Sequence, residues 1–100
     1  MDFYKLAIKE IKRETKNAVS IVFNIPQELK TAYQFIAGQY VTLKLTLDGK
    51  ELRRAYSICS SPKSDEMRIA VKEVKNGTFS KFANNKLAVG DLLEVSIPEG

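Results

Sequence analysis

Residues 41–49 read Val41-Thr42-Leu43-Lys44-Leu45-Thr46-Leu47-Asp48-Gly49. Apolar side chains at Val41, Leu43, Leu45 and Leu47 alternate with Thr42, Lys44 and Thr46, the period-two pattern of a strand with one buried face. Asp48-Gly49 follows with two residues that tolerate the positive φ of a tight hairpin turn. The return strand is expected from about Lys50 to Cys59, antiparallel to the first.

Upstream, Tyr4, Leu6 and Ile8 oppose Lys5, Ala7 and Lys9, so a half-buried strand opens the chain. The alternation slips near Ile11, where a bulge would restore the inward phase. Val19, Ile21, Phe23 and Ile25 repeat the pattern until Pro26, which has no N–H for a ladder. Gln27 to Ala37 is a connection of open form, and it ends at Gly38, where a close approach or a positive φ is expected.

Downstream, the turn-rich cluster Ser60 to Asp65 precedes an alternating run, Met67, Ile69 and Val71, that continues to Val74 and stops at Asn76-Gly77. Phe79, Phe82 and Ala83 stand at i, i+3 and i+4 behind Thr78, which predicts a short helix to about Lys86 with Thr78 as cap. Gly90-Asp91 turns the chain into a last strand, Leu92 to Ile97. The pattern predicts an all-β fold, a six-stranded antiparallel Greek-key barrel with one short helix before the last strand.

Composition sets outer limits on function. One hundred residues, 44% hydrophobic and 28% charged, suit one globular domain with its own core. Cys59 is the sole cysteine and histidine is absent, so no internal disulfide and no Cys/His metal site is expected, and the commonest general base is missing. Cys59 itself reads as a small buried residue rather than a nucleophile. Charges within the first ten residues leave no apolar run for a signal peptide or a membrane span, so a cytoplasmic setting is the default. The net charge of +4 favours anionic partners without choosing among them.

Arg53-Arg54-Ala55-Tyr56-Ser57-Ile58-Cys59-Ser60 is unusual for a strand, because a long cation, a large aromatic and hydroxyls crowd into a few positions. Period two places Arg54, Tyr56 and Ile58 on one face, with the guanidinium and the ring about 7 Å apart along the strand. That spacing suits a ligand with an anionic part and a flat part. The plainer reading has Arg54 facing solvent and Tyr56 covering the barrel. Gly77-Thr78-Phe79-Ser80 falls at the expected helix start, where free N–H groups and the positive dipole end can hold an anion. Read alone, those four residues are a turn and a cap.

Taken in order, Phe35-x-Ala37-Gly38-Gln39-Tyr40, Arg54-x-Tyr56-Ser57, Gly77-x-x-Ser80 and Gly90-Asp91 resemble the flavin domain of the ferredoxin-NADP reductase superfamily over nearly the whole chain. The runs Arg53 to Ser60 and Gly77 to Asn84 look most similar to reductase components of oxygenases such as phenylacetyl-CoA epoxidase. The resemblance implies FAD as cofactor, with Arg54 on its pyrophosphate, Tyr56 against the isoalloxazine ring and Ser57 near flavin N5 as the catalytic hydroxyl. It implies further that Val71, Lys72 and Val74 surround the pyrimidine edge, largely through backbone groups. Gly77, Thr78, Phe79 and Ser80 would take the second half of the pyrophosphate. Each role has a physical basis: the Arg fork matches phosphate oxygens, and an aromatic ring stacks on a flat heterocycle. Strict alternation, however, points Ser57 away from the face of Tyr56.

No Gly-x-Gly-x-x-Gly follows a strand and no cysteine set could ligate an iron–sulfur cluster. The resemblance therefore implies that residues 1–100 are the FAD-binding barrel of a longer reductase, with Pro98-Glu99-Gly100 opening the junction to an absent NAD(P)H-binding domain. The implied enzyme is a cytoplasmic oxidoreductase that passes electrons from NAD(P)H through FAD to an iron–sulfur domain or partner oxygenase, with neither nucleic acid nor membrane as partner. The fragment alone is expected to lack efficient turnover. Two other classes stay open: a small basic barrel binding single-stranded nucleic acid, and a flavin-free interaction module.

Overall fold

The computed structural model describes residues 2–100. Strands β1 (Phe3–Thr15), β2 (Ala18–Asn24), β3 (Tyr40–Leu47), β4 (Lys50–Ser57), β5 (Met67–Lys72) and β6 (Leu92–Ser96) form one antiparallel sheet in the order β4-β3-β6-β1-β2-β5. Helix α1 (Thr78–Asn85) lies between β5 and β6, and one 3-10 turn (Gln27–Leu29) lies in the β2–β3 connection. The sheet curls into the expected Greek-key barrel. Its seam is joined at one end by a bridge between Ile58 and Ile69 and by the Cys59 N–H donating to the Arg68 carbonyl at 2.8 Å. Closure there shields part of two otherwise unpaired edges.

Period two decides the core. Leu6, Val19, Ile21, Leu43, Ile69 and Val95 are among the side chains almost wholly removed from water, and burial of this kind contributes roughly 1.5–3 kcal/mol per large side chain. The β3–β4 turn has φ of 51° at Asp48 and 77° at Gly49, the paired positive values of a type I′ turn whose twist matches that of the strands. Gly38 likewise has φ of 92°.

Several boundaries differ from expectation. β4 ends at Ser57; the Ile58 N–H still donates to the Gln39 carbonyl at 2.9 Å, just before β3, while Ile58 also bridges Ile69 of β5. β5 ends at Lys72: the Val74 N–H leaves the ladder to donate to Ser80 Oγ at 3.1 Å, and Val74 is exposed. β6 stops at Ser96. The register of β1 slips between Ile8 and Glu10, earlier than Ile11, and again between Arg13 and Thr15. The first slip still brings Ile11 onto the core. The β2–β3 connection buries Tyr33, which donates to the Val95 carbonyl at 2.6 Å. Cys59 is exposed, not buried, because it lies beyond the bridge where β4 has ended.

Candidate functional site

Strand β4 is the least covered strand of the barrel. Arg53, Arg54, Ala55 and Ser57 are exposed and Tyr56 is half-buried. The pleat sorts these residues into two environments. On one face Arg53 pairs with Glu51 at 3.2 Å and lies over the Phe3 ring, 5.5 Å from its centroid. On the other face Arg54, opposite Leu43, has no carboxylate partner among the described residues, and its Nη1 donates only to the Arg53 carbonyl at 2.8 Å. An Arg so placed keeps most of its five N–H donors for an anion.

Two positions on, Tyr56 lies opposite Val41 and its ring meets that of Phe79, with centroids 5.7 Å apart and planes tilted by 50°. Burial raises the Tyr56 pKa above the ordinary phenol value, and the Arg54 charge opposes the shift. The phenol is therefore neutral at physiological pH, a half-covered apolar plate beside a cation. Phe79 is the second residue of α1, so the contact sets the Tyr56 ring beside the helix start.

At that start the N-cap residue is Gly77, which has no side chain to cap with, rather than Thr78. Lys81 is the first helical residue whose N–H finds a carbonyl, that of Gly77. The N–H groups of Thr78, Phe79 and Ser80 precede it uncapped, which is the arrangement that receives oxyanions. Gly77 is required for space, not for positive φ: a Cβ would lie 2.4 Å from Ser80 Oγ and 2.5 Å from Val74 Cγ2. A depression of about 510 Å³ opens here against the β3–β4 turn, lined by Asp48, Asn76, Gly77, Thr78, Lys81 and Phe82 among others. A larger one, about 690 Å³, lies towards the other end of β5, lined by Phe35, Gln39 and Met67 among others, and holds none of the residues assigned to the cofactor.

Other sequence-derived candidates divide. Val71 is wholly buried and its carbonyl accepts from Asn84 Nδ2 at 3.1 Å, so it is a wall of the core and not a surface contact. The Ser80 hydroxyl accepts from the Val74 N–H and donates to the Gly77 carbonyl, so it braces the turn and has no free proton for a ligand. Lys72 and Val74 are exposed. Ser57 is exposed on the Arg53 side of the strand, opposite Tyr40, and does not share the face of Tyr56. Asn84, which the sequence pattern did not single out, is a polar residue next to Ala83 on the buried face of α1, and that position was its one signal.

Residues 5–100 match the family model described as the oxidoreductase FAD-binding domain. The chain belongs to that family. It is 45% identical over 98 residues to one component of the 1,2-phenylacetyl-CoA epoxidase of Escherichia coli, covering 98% of this chain and 28% of that protein. Among solved structures it is similar to the flavohemoglobin of Malassezia yamatoensis with bound FAD and heme. The TM-score is 0.83 at 29% identity, and the match covers 100% of this chain and 26% of that one. Phthalate dioxygenase reductase, described as a modular structure for electron transfer from pyridine nucleotides to [2Fe-2S], matches with a TM-score of 0.79 at 27% identity. That match covers 98% of this chain and 30% of the other. The chain thus spans less than a third of each of these relatives.

FAD is the cofactor of this family, and the residues present suit it. An unpaired guanidinium and uncapped amides are the donors a diphosphate needs, and a half-exposed phenol ring is the plate a flat heterocycle needs. Among the described residues no group of three or more acidic, Cys or His side chains could hold a metal. No helix among them is long and apolar enough to cross a membrane.

Proposed function

We propose that residues 1–100 are the flavin-holding unit of a longer cytoplasmic reductase that takes electrons from NAD(P)H and delivers them to an iron–sulfur centre or a partner oxygenase. The observation that carries the reading is the Tyr56–Phe79 contact, which sets the strand that bears the unpaired Arg54 against the second residue of α1. In this arrangement Arg54 neutralises the pyrophosphate together with the amides of Thr78 and Phe79. Tyr56 lies along the isoalloxazine. Ser57, reached around the strand edge, hydrogen-bonds near N5, while Lys72 and Val74 border the pyrimidine end. Val71 and Ser80 act from behind, as wall and brace. Bound FAD supplies the exchange between two-electron and one-electron transfer, and the protein supplies position and electrostatics.

Tyr40 is paired with Ser57 on one side and with Glu99 on the other, and Gln39 Nε2 donates to the Gly100 carbonyl at 3.3 Å. The unpaired state of Arg54 also favours flavin binding over a module that has lost its cofactor.

The test is titration of FAD and riboflavin into the chain, followed by flavin fluorescence. Arg54→Ala is expected to weaken FAD at least about tenfold and to leave riboflavin nearly unchanged, because riboflavin has no phosphate. Tyr56→Ala is expected to weaken both. Equal FAD affinity in the wild type and Arg54→Ala would remove the pyrophosphate assignment. Saturable NADH oxidation by residues 1–100 with FAD would overturn the assignment of nicotinamide to a separate unit.

A further inference from the structure

We infer that Arg13 and Asn84 are positioning residues for the anion-binding start of α1, an inference that rests on the flavin reading above. Helix α1 has eight residues, too few to hold a direction by its own hydrogen bonds. Its orientation comes from outside. Asn84 is 6% exposed, and its Nδ2 donates to the Val71 carbonyl of β5 at 3.1 Å and to the Ser80 carbonyl at 2.9 Å. Arg13, carried by β1 at its second register slip, donates through Nη1 to Asn84 Oδ1 at 2.8 Å and through Nη2 to the Asn84 carbonyl. The slip matters because a bulge re-aims the side chains beside it.

These contacts form one continuous path to the phosphate end. Arg13 fixes Asn84, Asn84 fixes the Ser80 carbonyl, and the Ser80 hydroxyl fixes the Val74 N–H and the Gly77 carbonyl. The amide orientation of Asn84 is forced by chemistry: flipped, its NH₂ would face the guanidinium and its oxygen two carbonyls. Arg13 also lies at the carboxyl end of α1, where its charge is favourable to the helix dipole. It has no carboxylate partner among the described residues, so Asn84 is its main engagement. The amides of Thr78 and Phe79 are thus aimed from a residue on β1, at the opposite end of the helix.

Binding of FAD and of riboflavin by the 1–100 chain tests this with Arg13→Ala, Arg13→Lys and Asn84→Asp, beside Arg54→Ala as reference. Arg13→Ala is expected to weaken FAD about tenfold, the effect of losing a charged hydrogen bond that holds the site, with riboflavin changed less than about twofold. Arg13→Lys should restore part of the FAD affinity, because one donor survives. Asn84→Asp should follow Arg13→Ala, because it keeps the acceptor for Arg13 but loses both donations to carbonyls. If Arg13→Ala and Asn84→Asp weaken FAD and riboflavin in parallel, the pair is merely structural and the inference falls. It falls equally if Arg54→Ala weakens FAD while Arg13→Ala leaves the FAD-to-riboflavin ratio unchanged. Should Arg54→Ala leave that ratio unchanged, the flavin-phosphate reading itself fails.

Discussion

Gly77 and Ser80 pack so closely that a Cβ on Gly77 would come within 2.4 Å of the Ser80 hydroxyl oxygen. Gly77→Ala must therefore push Ser80 away from the Val74 N–H and the Gly77 carbonyl, or move the turn itself. The expected cost is about 1–3 kcal/mol of stability, the range for overpacking, accompanied by weaker FAD binding because the helix start shifts. Urea denaturation with a flavin titration checks both. An unchanged midpoint would show that the turn relaxes freely. Ser80→Ala isolates the brace: it strands the Val74 N–H without adding bulk, at about 1–2 kcal/mol.

Arg54 and Arg68 are both strand arginines, but they are expected to answer to different assays. Arg68 donates to Glu10 at 2.7 Å, to Glu66 at 3.1 Å and to the buried Ser20 hydroxyl at 2.6 Å, tying β5 to β1 and β2. Its loss should cost about 1–2 kcal/mol and leave FAD affinity alone. Arg54 has no such ties, so Arg54→Ala should shift stability by no more than about 0.5 kcal/mol. Thermal melts of the two variants, run without flavin, separate the roles. A large loss of stability in Arg54→Ala would reassign that residue to the fold.

What the sequence makes legible here is local. The β3–β4 hairpin follows from the alternation of Val41 to Leu47 and from Asp48-Gly49, both decided within a few residues. The face shared by Arg54 and Tyr56 follows from the pleat, and α1 from the spacing of Phe79, Phe82 and Ala83. The meeting of those two features depends on barrel closure, and no periodicity encodes which strands close. Changes of partner are equally hidden: Ile58 gaining a bridge to β5 and the Val74 N–H leaving the ladder are decided by Ile69 and Ser80. Arg13 and Asn84 lie 71 positions apart, and each reads alone as an ordinary polar residue.

Cys59 offers a direct check on where β4 stops. Because it lies past the Ile58–Ile69 bridge and is exposed, a thiol reagent should label it fully in the native state, at a rate close to that of the unfolded chain. Protection that disappears only with denaturant would mean that β4 continues through Cys59 into the barrel wall. Labelling in the presence of saturating FAD adds a second reading, since the residue follows closely on Ser57.

Tyr33 should make the barrel sensitive to alkali within a defined window. Its pKa is pushed up from 10.0 to about 12, mainly by burial and further by the neighbouring Tyr4, against a smaller opposing hydrogen bond from the backbone. A folded-state pKa above the unfolded one means that the folded chain favours the protonated phenol. The stabilisation is complete below pH 10 and is lost as pH rises through about 12. The hydroxyl donates to the Val95 carbonyl at 2.6 Å, a donation that the phenolate cannot make. Tyr33→Phe should therefore be less stable than wild type below pH 10, by about 1 kcal/mol for the lost hydrogen bond. The gap should narrow and then reverse as the wild-type phenol is forced to ionise. Every other group is the same in both proteins, so the difference between the two denaturation curves isolates Tyr33. A gap that stays constant across the window would mean that Tyr33 ionises as an ordinary exposed phenol, and that the β2–β3 connection does not seal the barrel end.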